Sequence, residues 1–274
     1  MILKIPRSQV QKAFSRASHQ YEDLADLQAC LGDELLQRLS DSLVLTLRER
    51  SGITKRPWRI LDIGTGTARL LPGLQGMFPG SHIVGLDLAF EMLLLARSKI
   101  QDVALIQADA TCLPFKDNTF DLLVSNASYQ WVSDLCQAFR WAYSVLKPGG
   151  VFYLAMFGYE SLKELFATFE HVGGDCKGEG PRFNRLHKLA DIRRSAAWAG
   201  FMGIESSLEE RTICFKDLRE LLRWLKGIGA NTLGERRFIG KGVLQQADAY
   251  YRDHFSLRDG VGASFEIIWL KAMK

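Results

Sequence analysis

A chain of 274 residues with 47% hydrophobic, 24% charged and 11% aromatic residues has the make-up of an ordinary soluble globular protein, which excludes disordered and collagen-like chains. Thirty-five Lys and Arg against 31 Asp and Glu leave a formal charge of +4, too little to imply wholesale nucleic-acid binding but enough to permit a basic patch for an acidic partner. The longest apolar stretches, around Leu43–Leu47 and Val151–Phe157, fall far short of the roughly 18 residues that would cross a bilayer, and no signal peptide is expected. A cytoplasmic protein without a membrane partner is therefore expected. The five cysteines, Cys30, Cys112, Cys136, Cys176 and Cys214, form no C-x-x-C pair and support neither a disulfide framework nor a zinc site. They are expected to be small core residues.

In chain order, residues 8–50 carry apolar positions at helical spacing: Leu24, Leu27, Leu31, Leu35, Leu36, Leu39 and Leu43, punctuated only by Gly32. This predicts about two amphipathic helices. From Trp58 the pattern changes to short apolar runs at Arg59–Ile63, His82–Asp87, Ala104–Gln107, Asp121–Ser125 and Val151–Phe157, separated by helical segments. Turns are marked at Pro79-Gly80 and Pro148-Gly149-Gly150. Strands alternating with helices mean crossover units, so the expected fold is α/β: a doubly wound, mostly parallel, Rossmann-like sheet with helices on both faces. Beyond it, Leu162–His171 and Ala190–Gly200 read as helices flanking a Gly-rich polar stretch, His171–Asn184. Glu205–Phe215 reads as a strand, Leu218–Ile228 as a helix and Ser264–Lys271 as a final strand.

The residues that carry chemistry begin at Leu61-Asp62-Ile63-Gly64-Thr65-Gly66-Thr67-Ala68, directly after the first predicted strand and before a helix. Glycines there let the backbone turn sharply and approach a ligand closely. Twenty-one residues beyond Gly66, Asp87 ends the second strand, where a carboxylate accepts hydrogen bonds from both hydroxyls of a ribose. A nucleoside cofactor is the inference; the plain alternative is a tight turn in a fold without ligand, and Arg69 stands where a dinucleotide motif has its third glycine. Asp62, two residues before the first glycine, is placed to orient the cationic amino end of a methionine moiety, which a nicotinamide cofactor lacks. Asp109-Ala110 follows the third strand, near an adenine amino group, and Ser125-Asn126 ends the fourth, beneath the reacting centre. These positions converge in the crevice at the carboxyl ends of an open parallel sheet. The candidate cofactor contacts are Asp62, Gly64, Thr65, Gly66, Asp87, Leu88, Asp109, Ala110 and Asn126.

The order Asp62, Gly64, Asp87, Asp109, Asn126, with Leu146-Lys147-Pro148-Gly149-Gly150 before the fifth strand, resembles the class I S-adenosylmethionine-dependent methyltransferases over about Arg59–Phe157. One departure is Ala68, where many members have a third glycine. Four further segments resemble one family within that class: the run from Gln11 to Gln28 (QKAFSRASHQYEDLADLQ), Ser125–Trp131 (SNASYQW), Gly180-Pro181-Arg182-Phe183, and Lys226–Asn231 (KGIGAN). That family is the malonyl-acyl-carrier-protein O-methyltransferases of biotin synthesis. The resemblance implies methyl transfer from S-adenosyl-L-methionine, without a metal, to the free carboxylate of a malonyl thioester. It also implies one methyltransferase domain, 1–274: an N-terminal helical cover (1–55), a cofactor-binding core (56–157), a helical insertion (158–204) and the C-terminal part of the sheet (205–274).

A malonyl carboxylate is already anionic at neutral pH, so no catalytic base is expected. The enzyme has to align the carboxylate with the sulfonium methyl and exclude water. Arg182 is the candidate bidentate carboxylate partner. Tyr21 is the candidate to donate its hydroxyl to the substrate or to contact the cofactor's methionine end, and Gln130 and Trp131 to line the pocket, the indole offering a face to the sulfonium. Each has a plain reading too: Tyr21 and Trp131 as packing aromatics, Arg182 as a solvated charge. Phe14, Tyr129, Trp141 and Trp224 are expected in the core, and the five histidines share no ligand spacing. An acyl-carrier protein is acidic, so Arg182, Arg185, Lys188, Arg193, Arg194, Arg236, Arg237 and Lys241 form the candidate docking face; the absence of a basic helix or nucleic-acid module speaks against nucleic acid. Another small-molecule carboxylate or phenol methyltransferase, a catalytically silent cofactor-binding subunit and a nicotinamide dehydrogenase are the alternatives.

Overall fold

The computed structural model describes residues 5–49, 57–175, 184–230 and 240–274. Three helices lead: α1 (Arg7–Ala17), α2 (Tyr21–Leu24) and α3 (Asp26–Glu49). Then follow β1 (Arg59–Ile63), α4 (Leu71–Met77), β2 (His82–Asp87), α5 (Phe90–Lys99), β3 (Ala104–Gln107), β4 (Phe120–Asn126), α6 (Leu135–Val145) and β5 (Leu146–Phe157). The remainder is α7 (Lys163–Asp175), α8 (Leu189–Ala199), β6 (Met202–Phe215), α9 (Leu218–Gly227), α10 (Lys241–Phe255), β7 (Ser256–Leu257) and β8 (Gly260–Met273). The sheet runs β3-β2-β1-β4-β5-β8-β6, with β7 on β8. Pairing is parallel from β3 through β5, as the alternation of strands and helices requires. The order reverses between β1 and β4, which places a crevice at the carboxyl ends of those two strands.

The chain divides into two compact units, one formed by residues 25–156, 189–207 and 268–274, the other by 1–24, 157–188 and 208–267. In the first, β4 is buried along all but its last residue, as expected of a strand covered on both faces. Its core gathers Phe139 of α6, Phe152 of β5, Tyr129 and Phe201, with ring centroids 5.4–6.2 Å apart in tilted and edge-on pairs. In the second unit, Trp224 of α9 packs edge-on against Phe265 of β8 at 5.6 Å, and its indole N–H donates to the Leu24 carbonyl at 2.8 Å.

The first three strands have the bounds the sequence predicts. The N-terminal helices do not break where predicted. Gly32 lies inside α3, and the interruption falls earlier, in a 3-10 turn over Ser18–Gln20. Gly32 is there for closeness: a Cβ would stand 3.1 Å from both Asn126 Nδ2 and Leu70 Cδ2. The Pro148-Gly149-Gly150 turn is a bulge inside β5, because pairing with β4 jumps from Phe120↔Leu146 to Leu122↔Val151. Helix α10 was not predicted, and although it carries Val243, Leu244, Ala247, Tyr250, Tyr251 and Phe255, only Ala247 and Tyr251 are buried. The cysteines are not core residues: Cys30, Cys112 and Cys214 are exposed and Cys136 is half-buried, while Cys176 lies outside the described residues. Cys214 falls on an alternating strand whose burial switches residue by residue.

Phe139 is fully buried at the centre of the aromatic cluster. Phe139→Ala is expected to destabilise the protein by about 3–5 kcal/mol, read as a lower denaturant midpoint with β-sheet circular dichroism retained in the absence of denaturant.

Candidate active site

After Ile63 the chain turns under β2. The Gly64 and Thr65 N–H groups both donate to the Leu86 carbonyl, at 2.7 and 2.9 Å, and the Gly66 N–H donates to Asp87 Oδ2 at 2.9 Å. Gly64 has φ +77°, and a Cβ on it would lie 2.1 Å from Ser128 Oγ, so no other residue fits. A Cβ on Gly66 would meet nothing within 4 Å: beside this backbone there is open space of the kind a ligand fills. Ala68, at the position of the third glycine, adopts φ +70° and is buried. Alanine therefore takes up the turn that glycine makes freely, at a cost of about 1 kcal/mol.

Asp87 is held from both sides. Oδ1 accepts from the Ala89 N–H at 2.8 Å and Oδ2 from Gly66, leaving the outer lone pairs for a diol. Burial raises its pKa, opposed by these backbone donors. The neighbouring Leu88 carbonyl accepts from Gln107 Nε2 at 3.1 Å. Asp109 turns its Oδ1 onto the Thr111 N–H and hydroxyl, at 2.7 and 2.8 Å, beside the half-buried Ala110.

Asp62 has no such support. It is 1% exposed and neither carboxylate oxygen has a hydrogen-bond partner. Burial pushes its pKa up to about 7; the Thr65 hydroxyl, short of hydrogen-bonding geometry, pulls it partly back, and Asp87 pushes it further up. The Thr65 hydroxyl is itself buried and unpartnered. At the end of β4, Ser125 Oγ donates to the Ile63 carbonyl at 2.7 Å, and Asn126 Nδ2 donates to the Gln28 carbonyl of α3 at 2.8 Å. Asn126 Oδ1 and Gln28 Oε1 are buried without a donor. Among the described residues no donor meets these acceptors, a pattern that matches a cationic group such as the amino end of a methionine moiety. This donor set is chemically suited to S-adenosylmethionine: an unpartnered carboxylate at Asp62 suits an ammonium and the spare lone pairs of Asp87 suit a diol.

The other predicted residues fall in different surroundings. Gln130 is 4% exposed and its amide nitrogen donates to the Ala127 carbonyl at 2.9 Å, closing a turn in which Ala127 has φ +50°. Trp131 is half-buried in the same 3-10 turn, and Tyr129 is a core residue, as expected. In the second unit, Tyr21 stands 6.3 Å from Phe14, centroid to centroid. Phe14 presses on Gly229, where a Cβ would be 3.2 Å from the ring, and Leu24 on Gly227, where it would be 2.2 Å from Cδ1. The N-terminal segment and Lys226–Ala230, far apart in sequence, thus pack on one another. Arg182, the segment Gly180–Phe183, Asn231, Arg236 and Arg237 lie outside the described residues. Of the remaining basic candidates, Arg185 lies over the Phe166 ring at 4.1 Å, Lys188 over Tyr159 at 4.5 Å, Arg193 donates to Ser206 Oγ at 2.7 Å and Arg194 pairs with Asp191; Lys241 is exposed.

The sequence reading missed Gln28 and Ser128. Gln28 had a signal: it interrupts the apolar face Leu24, Leu27, Leu31, Leu35 at a position where leucine would pack. Ser128 had none, because its role is only to abut Gly64.

The raised Asp62 pKa has a sign that can be checked. Between its ordinary value of 3.8 and about 7 the folded protein retains a proton the unfolded chain has lost, so stability falls as pH rises and the full cost is present above about 7. In thermal scans without ligand, Asp62→Asn is expected to gain on the wild type progressively from pH 4 to 7, with a constant difference above.

The methyltransferase-domain family matches residues 61–154. A malonyl-acyl-carrier-protein O-methyltransferase from Geobacter sulfurreducens is 31% identical over 272 residues, covering 97% of this chain and 98% of that protein. One from Xylella fastidiosa is 32% identical, covering 95% and 85%. Among solved structures, the YcgJ protein from Bacillus subtilis superposes with a TM-score of 0.58 at 19% identity, over 86% of this chain and 98% of that one. With the donor-starved acceptors at the ends of β1 and β4, the likeness over nearly the whole chain settles the family: the protein belongs to the malonyl-acyl-carrier-protein O-methyltransferases, which use S-adenosylmethionine.

Proposed function

We propose that this protein methylates the free carboxylate of a malonyl thioester carried on acyl-carrier protein, giving the methyl ester that primes pimeloyl synthesis for biotin. The observation that carries the reading is the extent of the likeness: it runs over 97% of the chain, through the N-terminal helices and the segments after β5 that lie outside the common methyltransferase domain. When bound, S-adenosylmethionine supplies an electrophilic methyl. In this reading the whole chain, 1–274, acts as one methyltransferase domain in the cytoplasm; among the described residues no helix is long and apolar enough to cross a membrane.

The division of labour follows from the chemistry. A carboxylate needs no deprotonation near neutral pH, so the protein moves no proton and requires no base. Its work is to orient and to exclude water. Asp62 holds the ammonium, Asp87 the ribose hydroxyls, Asp109 and Ala110 with Leu88 the adenine end, and Asn126 the floor beneath the reacting centre. Gln130 acts through the turn it closes, with Trp131 lining the acyl pocket; Tyr21 and Arg182 take the malonyl carboxylate. Arg182, Arg185, Lys188, Arg193, Arg194, Arg236, Arg237 and Lys241 attract the acidic carrier, an effect that salt screens.

Incubation with S-adenosylmethionine and malonyl-carrier protein, malonyl-coenzyme A or free malonate, followed by mass spectrometry of the acyl group, tests the reading. One added methyl group, gained fastest on the carrier-bound substrate, is expected; no methylation of any of the three by protein that binds the cofactor would overturn it. Asp87→Ala is expected to weaken cofactor binding at least about tenfold, or 1.4 kcal/mol. Arg182→Ala is expected to slow methylation with cofactor affinity within twofold of wild type; equal loss of cofactor affinity in both variants contradicts the assigned roles.

A further inference from the structure

Asp62 is one of several acceptors without a donor near the carboxyl ends of β1 and β4. Asn126 Oδ1 and Gln28 Oε1 are both buried and unpartnered, and the two residues are joined through the 2.8 Å bond from Asn126 Nδ2 to the Gln28 carbonyl. That bond decides which way round the Asn126 amide lies, because only its nitrogen can donate to a carbonyl. Gln28 stands in the first turn of α3 and is 9% exposed, on a buried face that also carries Ala25, Leu31 and Leu35. Gly32, one turn on, brings the helix close enough that a Cβ would be 3.1 Å from Asn126 Nδ2. Helix α3 is thus seated on the end of β4 by a glycine and a hydrogen bond, and it brings with it one more oxygen that has no donor.

The unpartnered groups of Asp62, Asn126 and Gln28 have the same polarity. All are acceptors, stripped of water, and an apolar side chain at Gln28 would relieve the folded protein of one of them. A feature that costs stability and satisfies nothing within the protein points to a ligand of opposite character. We propose that Gln28, together with Asn126, reads the charge of the cofactor: their amide oxygens face the cationic methionine end, so that the sulfonium donor is bound in preference to the neutral-sulfur product. In the transfer the C–S bond breaks with its electron pair left on sulfur while the methyl carbon bonds to the carboxylate oxygen, and no proton moves. The sulfur loses its charge, the oxygens lose their counterpart, and the product is held less tightly than the donor was. The inference rests on the cofactor assignment above and makes Gln28 a positioning and charge-selecting residue of the same site.

Calorimetric dissociation constants for the full-length protein test it, with S-adenosylmethionine, its unreactive amine analogue sinefungin, and S-adenosylhomocysteine as probes. Gln28→Met keeps the length of the side chain and removes its oxygen. It is expected to weaken the two cationic ligands about tenfold, leave S-adenosylhomocysteine within twofold, and raise the melting temperature without ligand by about 2 °C. Gln28→Glu is expected to move the donor-to-product affinity ratio the other way, and decides the matter if the methionine variant does not fold. Loss of all three ligands alike, or an unchanged ratio in both variants, overturns the proposal. Failure of the wild type to bind any of the three would instead overturn the cofactor assignment.

Discussion

The structure is organised around a carboxylate that water cannot reach. Asp62 lies on β1, which pairs with β2 on one side and β4 on the other, with Asp62 opposite Gly85 and Val124. The central strand gives its side chain no solvent, and the surrounding residues give it no donor. Gly85 shows how closely the site is built: a Cβ there would stand 2.9 Å from Leu105 Cδ2 and 3.0 Å from Thr65 Oγ1. Desolvation of this kind is a standing cost, and proteins retain it where function collects the return. Here the proposed return is a cofactor site that takes a positive charge, in a fold that places Asp62 where the strand order reverses.

The same economy explains the contrast between two acidic residues of one site. Asp87 is tied by the N–H groups of Gly66 and Ala89, which link the glycine turn to the end of β2 and fix its direction before any ligand arrives. Asp62 is left unsatisfied. One carboxylate is thus tied into the glycine turn and the other left without a donor, and the difference lies wholly in the groups around them.

The second unit carries much of the chain that marks the family rather than the class, while Ser125–Trp131 lies in the first. Trp224, Gly227 and Gly229 receive Leu24 and Phe14, so two segments some two hundred residues apart form one packing surface. The glycines of Lys226–Ala230 serve close approach: Gly229 at φ +78°, Gly227 beneath Leu24. Elsewhere in that unit buried polar groups find partners, such as the Tyr251 hydroxyl on the Gly262 carbonyl at 2.8 Å and the Ser264 N–H on Glu164 Oε2 at 3.0 Å.

Much of this was legible in the residues alone, because it is written locally. Apolar runs between turn residues fixed β1, β2 and β3, and the spacing from Gly66 to Asp87 is the one across which the Gly66 N–H donates to Asp87. Gly32 looked like a helix break and is a contact, since a glycine's reason can lie on another element. The cysteines looked like core and are mostly surface, since burial depends on which face of a strand or helix packs. Helix α10 was missed although Val243, Ala247, Tyr251 and Phe255 recur at helical spacing, and the fold buries only Ala247 and Tyr251 of it. Gln28 was visible only as an interruption in a row of leucines.

What the sequence by itself determined, then, was the alternation of strands and helices from β1 to β5, the turn at Gly64–Gly66, the polar residues Asp62, Asp87, Asp109 and Asn126 at or near the strand ends and the family they indicate: all depend on neighbours a few residues away. Only the tertiary structure decided which of those polar groups would be satisfied. Asn126 meets Gln28 across 98 residues and Ser125 meets Ile63 across 62, and whether a buried oxygen has a donor is settled by such distant partners. A side chain's type is a property of the sequence; its lack of a partner belongs to the fold.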